Sequence, residues 1–231
     1  MNVGTLRIRG RVVGSTLATL ATLVTLAALA VVAGPAAVAA PPGSPPIAQA
    51  RTVDLGETVT VTGTVTTPPG AFESSFFDVG FAVQDRTAGI YVSAAERADL
   101  AIGTAVTVTG TLADQYGLLV VKPATITPIG PAEPVSPRRV KVRVIGESTE
   151  STLVTTVGRL TSPVVNDQPY GYKFTIADQS GETTVFVNNQ TGIDVSNLVV
   201  GKTIAVTGMS SQYTDHYEID PRFPADLTVL Q

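Results

Sequence analysis

The side chains best suited to chemistry in this sequence are aromatic, and they fall in alternating runs. In Phe77, Val79, Phe81 and Val83 the apolar residues share one parity, so on a strand all four point inward. In the next run Ile90 and Val92 take the inward parity, leaving Tyr91 outward. A later run repeats the pattern, with Val185 and Val187 inward and Phe186 outward. An aromatic ring on the outer surface of a sheet is a platform on which a base or sugar ring stacks. It is equally a surface to be covered by a long loop or a second domain. Tyr116 and Tyr213 each follow a glutamine near a turn, and Gln84 and Lys173 supply polar groups close to the outward rings. The expected ligand surface is therefore Tyr91, Phe186, Tyr116, Tyr213, Gln84 and Lys173.

The remaining candidates carry less. Asp85 and Asp178 end equivalent apolar runs just before turns, where an aspartate ordinarily binds local backbone amides. Arg139, Lys141 and Arg143 alternate with Val140, Val142 and Val144. On a strand the three charges line one face, either to contact phosphate or to discourage edge-to-edge pairing. His216 is the single histidine, so a multi-histidine metal site is excluded, and its neighbour Asp215 does not make a triad, which is defined by geometry. The chain has no cysteine, hence no disulfide and no thiolate. The sequence reads as non-enzymatic, with no cofactor.

Strands must position these residues. Val59, Val61, Gly63 and Val65 alternate with threonines, as in a half-buried strand. The chain then repeats itself. Leu100-Ala101-Ile102-Gly103-Thr104-Ala105-Val106-Thr107-Val108-Thr109-Gly110 is echoed by Leu198-Val199-Val200-Gly201-Lys202-Thr203-Ile204-Ala205-Val206-Thr207-Gly208. Phe81-Ala82-Val83-Gln84-Asp85 is echoed by Phe174-Thr175-Ile176-Ala177-Asp178, and Gln115-Tyr116 by Gln212-Tyr213. Two copies of this size are small domains rather than a solenoid, which needs at least three repeats. Each reads as five strands, with a short helical turn expected between the third and fourth, over Ala94 to Leu100 in the first copy.

The ends frame this arrangement. Arg7, Arg9 and Arg11 precede an apolar stretch and the small-residue site Ala37-Val38-Ala39, the order of a secretory signal peptide over 1–39. An uncleaved membrane anchor is the rival reading, and the mature chain is expected to keep no stable membrane association. A proline-rich spacer follows over 40–50, then a first domain at 51–130, a linker with a lead-in strand at 131–150, and a second domain at 151–231. Each domain holds four basic against eight acidic residues. Nucleic-acid affinity rests mainly on lysine and arginine, so neither domain is a strong general binder of phosphate polymers.

The strand count and order resemble the oligonucleotide/oligosaccharide-binding (OB) fold, a five-stranded Greek-key barrel. The pieces Val59-Thr60-Val61-Thr62-Gly63, Phe81-Ala82-Val83-Gln84-Asp85 and Val106-Thr107-Val108-Thr109-Gly110 resemble OB modules attached to bacterial extracellular nucleases and other secreted proteins. In the second copy Val154-Thr155-Thr156-Val157-Gly158 shifts the valines. The resemblance implies an all-β chain of two tandem barrels. It also implies a ligand face on strands two and three, flanked by the one-two and four-five loops. The partner it implies is single-stranded nucleic acid or a polysaccharide, bound weakly. The alternative is a structural or interaction module whose partner is another secreted protein.

Overall fold

The computed structural model describes residues 44–230, together with Met1. The expected signal peptide lies outside the described residues. Among the described residues no helix is long and apolar enough to cross a membrane.

Barrel one is built from β1 (Thr58–Val65), β2 (Phe81–Gln84), β3 (Gly89–Val92), β4 (Thr104–Gln115) and β5 (Leu118–Pro131). It closes in the order β1-β2-β3-β5-β4, with β3 and β5 parallel and the other pairs antiparallel. After β6 (Arg138–Arg139), barrel two uses β7 (Leu153–Leu160), β8 (Val165–Asp167), β9 (Gly171–Asp178), β10 (Gly181–Asn188), β11 (Thr203–Tyr213), β12 (His216–Asp220) and β13 (Leu227–Leu230). Here β7-β9-β10-β12-β11 closes through the β11–β7 pairing, and β10 and β12 are the parallel pair. Both are OB topologies. Strands β6, β8 and β13 are additions to the second barrel's rim.

The period-two alternation fills each barrel as expected. Val59, Val61, Val65, Phe81, Val83, Ile90, Val92, Val106 and Val108 make the first core. Val154, Phe174, Ile176, Val185, Val187, Ile204, Val206 and Ile219 make the second. Gly110 and Gly208 mark the same event in both. A β-carbon at Gly110 would stand 2.2 Å from the Lys122 carbonyl oxygen, and one at Gly208 would stand 2.4 Å from that of Asp220. Glycine lets the two strands come this close where a small barrel closes.

Each barrel carries its own stopper. Helix α1 (Ile47–Ala50) inserts Ile47 and Ala50 into the first core, so barrel one begins upstream of residue 51. The 3-10 turn Val142–Val144 precedes Ile145, which enters the second core. The two repeated aspartates hold these stoppers. Asp85 accepts the Ile47 amide at 2.9 Å, and Asp178 accepts the Val142 amide at 3.2 Å. Each also accepts amides in its own turn, from Thr87 and Ala88 or from Ser180. Burial alone would raise the Asp85 pKa, but the hydrogen bonds from Thr87, Ile47 and Ala88 outweigh it and hold the group below its ordinary value.

Three expectations need correction. The run from Ala94 to Leu100 is irregular, and the second copy has only the 3-10 turn Asn189–Thr191 at the equivalent place. Phe77 does not point inward. It ends helix α2 (Glu73–Phe76) in the left-handed conformation, φ 57°, and is 63% exposed. Of the basic segment only Arg138–Arg139 is strand. Arg139, Lys141 and Arg143 are nonetheless exposed, while Val142 is buried and Val140 and Val144 are half-buried.

A third apolar cluster joins the barrels. Ala82, Tyr91, Leu118 and Val120 from the outer face of barrel one pack under Ala71, Phe72 and Phe76 of its own β1–β2 connection and against Met209 of barrel two. Polar contacts ring this seam. Arg222, held by Asp226 through two hydrogen bonds, donates to the Thr66 carbonyl at 2.8 Å. Arg51 pairs with the buried Glu150 at 2.8 Å and donates to the Gly89 carbonyl. Gly89 itself lies so near the Ser151 carbonyl that an added β-carbon would stand 2.1 Å from its oxygen.

Candidate ligand cleft

The outer face of β2 and β3 is where the OB resemblance puts a ligand, and in barrel one it is closed. Tyr91 points outward, as its parity requires, but it is 0% exposed. Its ring packs on Phe76 with centroids 4.8 Å apart, and its hydroxyl donates to Asp78 at 2.9 Å. Gln84 is also committed, its side-chain oxygen accepting the Leu153 amide across the seam at 2.8 Å. Neither residue is available to a ligand, because the second barrel and the long β1–β2 connection cover the sheet.

The corresponding face of barrel two is open. Lys173 on β9, Phe186 on β10, and His216 and Glu218 on β12 point outward from adjacent strands. With Tyr213, with Asp167 and Tyr170 from the β7–β9 connection, and with Ser74, Ser75 and Phe77 from barrel one, they line a cleft of about 330 Å³. This is at the lower end of the range of small-ligand sites. Phe186 forms part of its floor, 8% exposed. Phe77 and Tyr170 meet edge-on at 5.8 Å, Tyr213 and His216 at 6.1 Å.

Helix α2 places barrel one's share of the cleft. The Ser74 and Ser75 hydroxyls both donate to the Asn188 side-chain oxygen, at 2.8 and 2.7 Å, pinning α2 to the end of β10. The two hairpin tips meet alongside. The Thr214 amide donates to the Tyr116 carbonyl, and the Tyr116 and Tyr213 rings lie 5.6 Å apart. Tyr116, Tyr213, Phe77 and Tyr170 thus form a contiguous exposed aromatic edge. The ladder corrects the motif alignment here. Tyr116 and Thr214, not Tyr116 and Tyr213, hold the equivalent left-handed turn position, with φ of 57° and 53°.

Charge in the cleft is uneven. Lys173 is bound by Asp167 at 3.2 Å. Glu218 is 3% exposed and has the His216 Nε2 at 3.5 Å. That contact, outweighing the opposing effect of burial, raises the His216 pKa above its usual value. Two residues on, Asp220 is wholly buried and neither carboxyl oxygen has a hydrogen-bond partner. Burial, reinforced by Glu218, pushes its pKa well above its ordinary value.

Of the sequence-predicted ligand residues, the structure gathers Phe186, Tyr213 and Lys173 in the cleft and Tyr116 beside it. It places Tyr91 and Gln84 in the seam. Arg139 lies on the rim strand β6, and Lys141 and Arg143 line a separate recess with Asp178, Gln179 and Ser180. That recess is at the other end of β9, roughly 16 Å from Lys173 at about 3.3 Å per residue. Sequence reasoning missed Phe77, Tyr170, His216 and Glu218 as cleft residues. For His216 and Glu218 the signal was their shared parity on one short strand. For Phe77 and Tyr170 there was none, since both come from connections.

No family model matches the chain, and no curated protein matches it. Solved structures do match. An OBody bound to hen egg-white lysozyme is 17% identical over 42% of this chain and 98% of its own, with a TM-score of 0.34. The OB domain of a Methanosarcina mazei protein is 11% identical over 42% of this chain and 87% of its own, with a TM-score of 0.36. A murine DNA binding protein bound with ds DNA is 14% identical over 74% of this chain and 95% of its own, with a TM-score of 0.40. The first two span about one barrel of this chain and the third spans more than one, and the likeness is one of fold.

Proposed function

We propose that the chain is an exported, non-catalytic binding protein that holds a segment of an extended polymer in the cleft of barrel two, barrel one serving as its support. One observation carries this reading: the same sheet face is sealed by packing in barrel one and left open, aromatic-lined and 330 Å³ in volume in barrel two. Export is supported by the basic, apolar and small-residue order of the first 39 residues. The resemblance to accessory OB modules of secreted proteins fits the same role. Within the class of extended polymers, Glu218 and Asp167 weigh against phosphate-rich strands, which carboxylates repel, and the one lysine of the cleft is already paired.

The test is a binding screen of residues 40–231 against single-stranded DNA, RNA, glycans and extended peptides at low salt, read by NMR shift mapping. A ligand of this site shifts the resonances of Phe186, Tyr170 and Tyr213. Tyr170→Ala should weaken its binding about tenfold, in line with roughly 1–3 kcal/mol per stacked ring. Shifts confined to Lys141 and Arg143 would move the site to the other recess. Failure of every polymer to bind would leave the chain a structural module.

A further inference from the structure

Resting on that reading of the cleft, we infer that the group it recognises is an organic cation, an alkylammonium or guanidinium carried by the polymer. The floor sets Glu218 beside Phe186, on the adjacent parallel strands β10 and β12. A carboxylate buried to this degree ordinarily has a cationic partner, because removing its charge from water is costly. Among the described residues no lysine or arginine pairs with Glu218, and its one charged neighbour is His216 at 3.5 Å. Asp220 behind it supplies no cation either, and Lys173 is occupied by Asp167. The floor therefore presents a carboxylate that no lysine or arginine neutralises and that His216 matches only when protonated.

The walls suit the same ligand. Phe77, Tyr170, Phe186 and Tyr213 border the cavity, and the faces of such rings attract ammonium and guanidinium groups, more strongly once water is displaced. A phosphate would face Glu218 and Asp167. A neutral sugar would stack on the rings and leave the buried charge unmatched. Alkylammonium and guanidinium occur together on a polypeptide with lysine and arginine, so the occupant is an extended peptide segment, with an amino-sugar chain as its competitor.

Calorimetric titration of residues 40–231 decides between these. The small probes are butylammonium and methylguanidinium, with butanol and methylurea as neutral counterparts. The polymer arms are a lysine- and arginine-containing peptide, its alanine-substituted version, a glucosamine oligomer, its N-acetylated form and oligo(dT). The cationic probes should bind at least tenfold more tightly than their neutral counterparts. The lysine- and arginine-containing peptide should bind and its alanine-substituted version should not, and binding of the glucosamine oligomer in its place would overturn the peptide as the occupant. Glu218→Gln should lower cation affinity at least tenfold. Lys173→Gln, at an exposed position that leaves the fold intact, should raise it severalfold by removing the competing charge, and this holds as the test if Glu218→Gln does not fold. Equal binding of the N-acetylated oligomer or of oligo(dT) would overturn the cation inference and leave the cleft a binding site. Absence of binding by any arm would overturn the cleft reading itself.

Discussion

On barrel one an outer rung of the sheet reads Ala82, Tyr91 and Val120, and on barrel two the same rung reads Thr175, Thr184 and Glu218. The backbone pairing is the same in both. Three apolar side chains give a surface that gains by leaving water, at about 25 cal/mol per Å² of apolar area, and barrel one's rung is accordingly covered by α2 and Met209. Two hydroxyls and a carboxylate give a surface that loses by dry burial, and on barrel two Thr175 and Thr184 stay half-buried while Glu218 lines the cleft floor. One topology thus carries a covered rung or a cleft-lining rung according to three side chains, which is why fold alone does not assign function.

The sharpest way to break this comparison is to part the barrels. Residues 135–231 keep the second core and its stopper and lose the cover over Met209 together with the polar seam contacts of Glu150, Leu153, Asn188 and Arg222. Residues 44–131 keep their own core but expose the face that meets barrel two, including Tyr91, Leu118 and Val120. The second fragment alone should stay soluble and melt cooperatively, and the first should aggregate or bind a hydrophobic dye. A well-behaved monomer of the first fragment would show that α2 suffices to seal the rung. Next in size is a pair of substitutions. Tyr91→Ala should cost about 3–5 kcal/mol in denaturant unfolding, the range for emptying a buried aromatic site, whereas Tyr213→Ala at the exposed edge should stay within about 0.5 kcal/mol. Similar losses at both would mean that the cleft edge is as structural as the seam.

The smallest effect concerns pH. The Asp220 carboxyl has its folded pKa raised, so its contribution to stability is complete below about pH 3.8, its unfolded value, and is lost as pH climbs through the raised value. The native chain should therefore lose melting temperature over this window, and Asp220→Asn should flatten the decline. An unchanged slope in the variant would place the responsible proton elsewhere, with the Glu150 carboxyl, also raised by burial, the next group to replace.

Period-two alternation made the two cores legible, because Phe81, Val83, Ile90 and Val92 had a single parity to obey. It also gave Tyr91 and Phe186 their outward direction correctly. Outward was not exposed, however, since parity cannot foresee a second barrel lying over the sheet. The pairing of Tyr91 with Phe186 was drawn from similar triplets. The ladder sets Tyr91 level with Thr184, two residues away, because the β2–β3 and β9–β10 hairpins differ in length. Phe77 was misread because alternation continued through a helical turn that ends in a left-handed residue. The cleft was least legible of all. Its lining comes from a connection of one barrel and the strands of the other, and such a site exists only in the folded whole.

The stoppers held by Asp85 and Asp178 have a consequence for folding as the chain emerges from the ribosome. Each stopper lies within 40 residues of the aspartate that fastens it, so each barrel can be corked from chain of its own. The seam obeys no such rule, because Met209 arrives last. Throughout that interval a corked barrel one has α2 over its apolar rung but lacks Met209, and shows the remainder to whatever surrounds it. The passage of the chain is then the time at which it most needs a chaperone, and a slowdown in making the second half would be felt first as aggregation of the first.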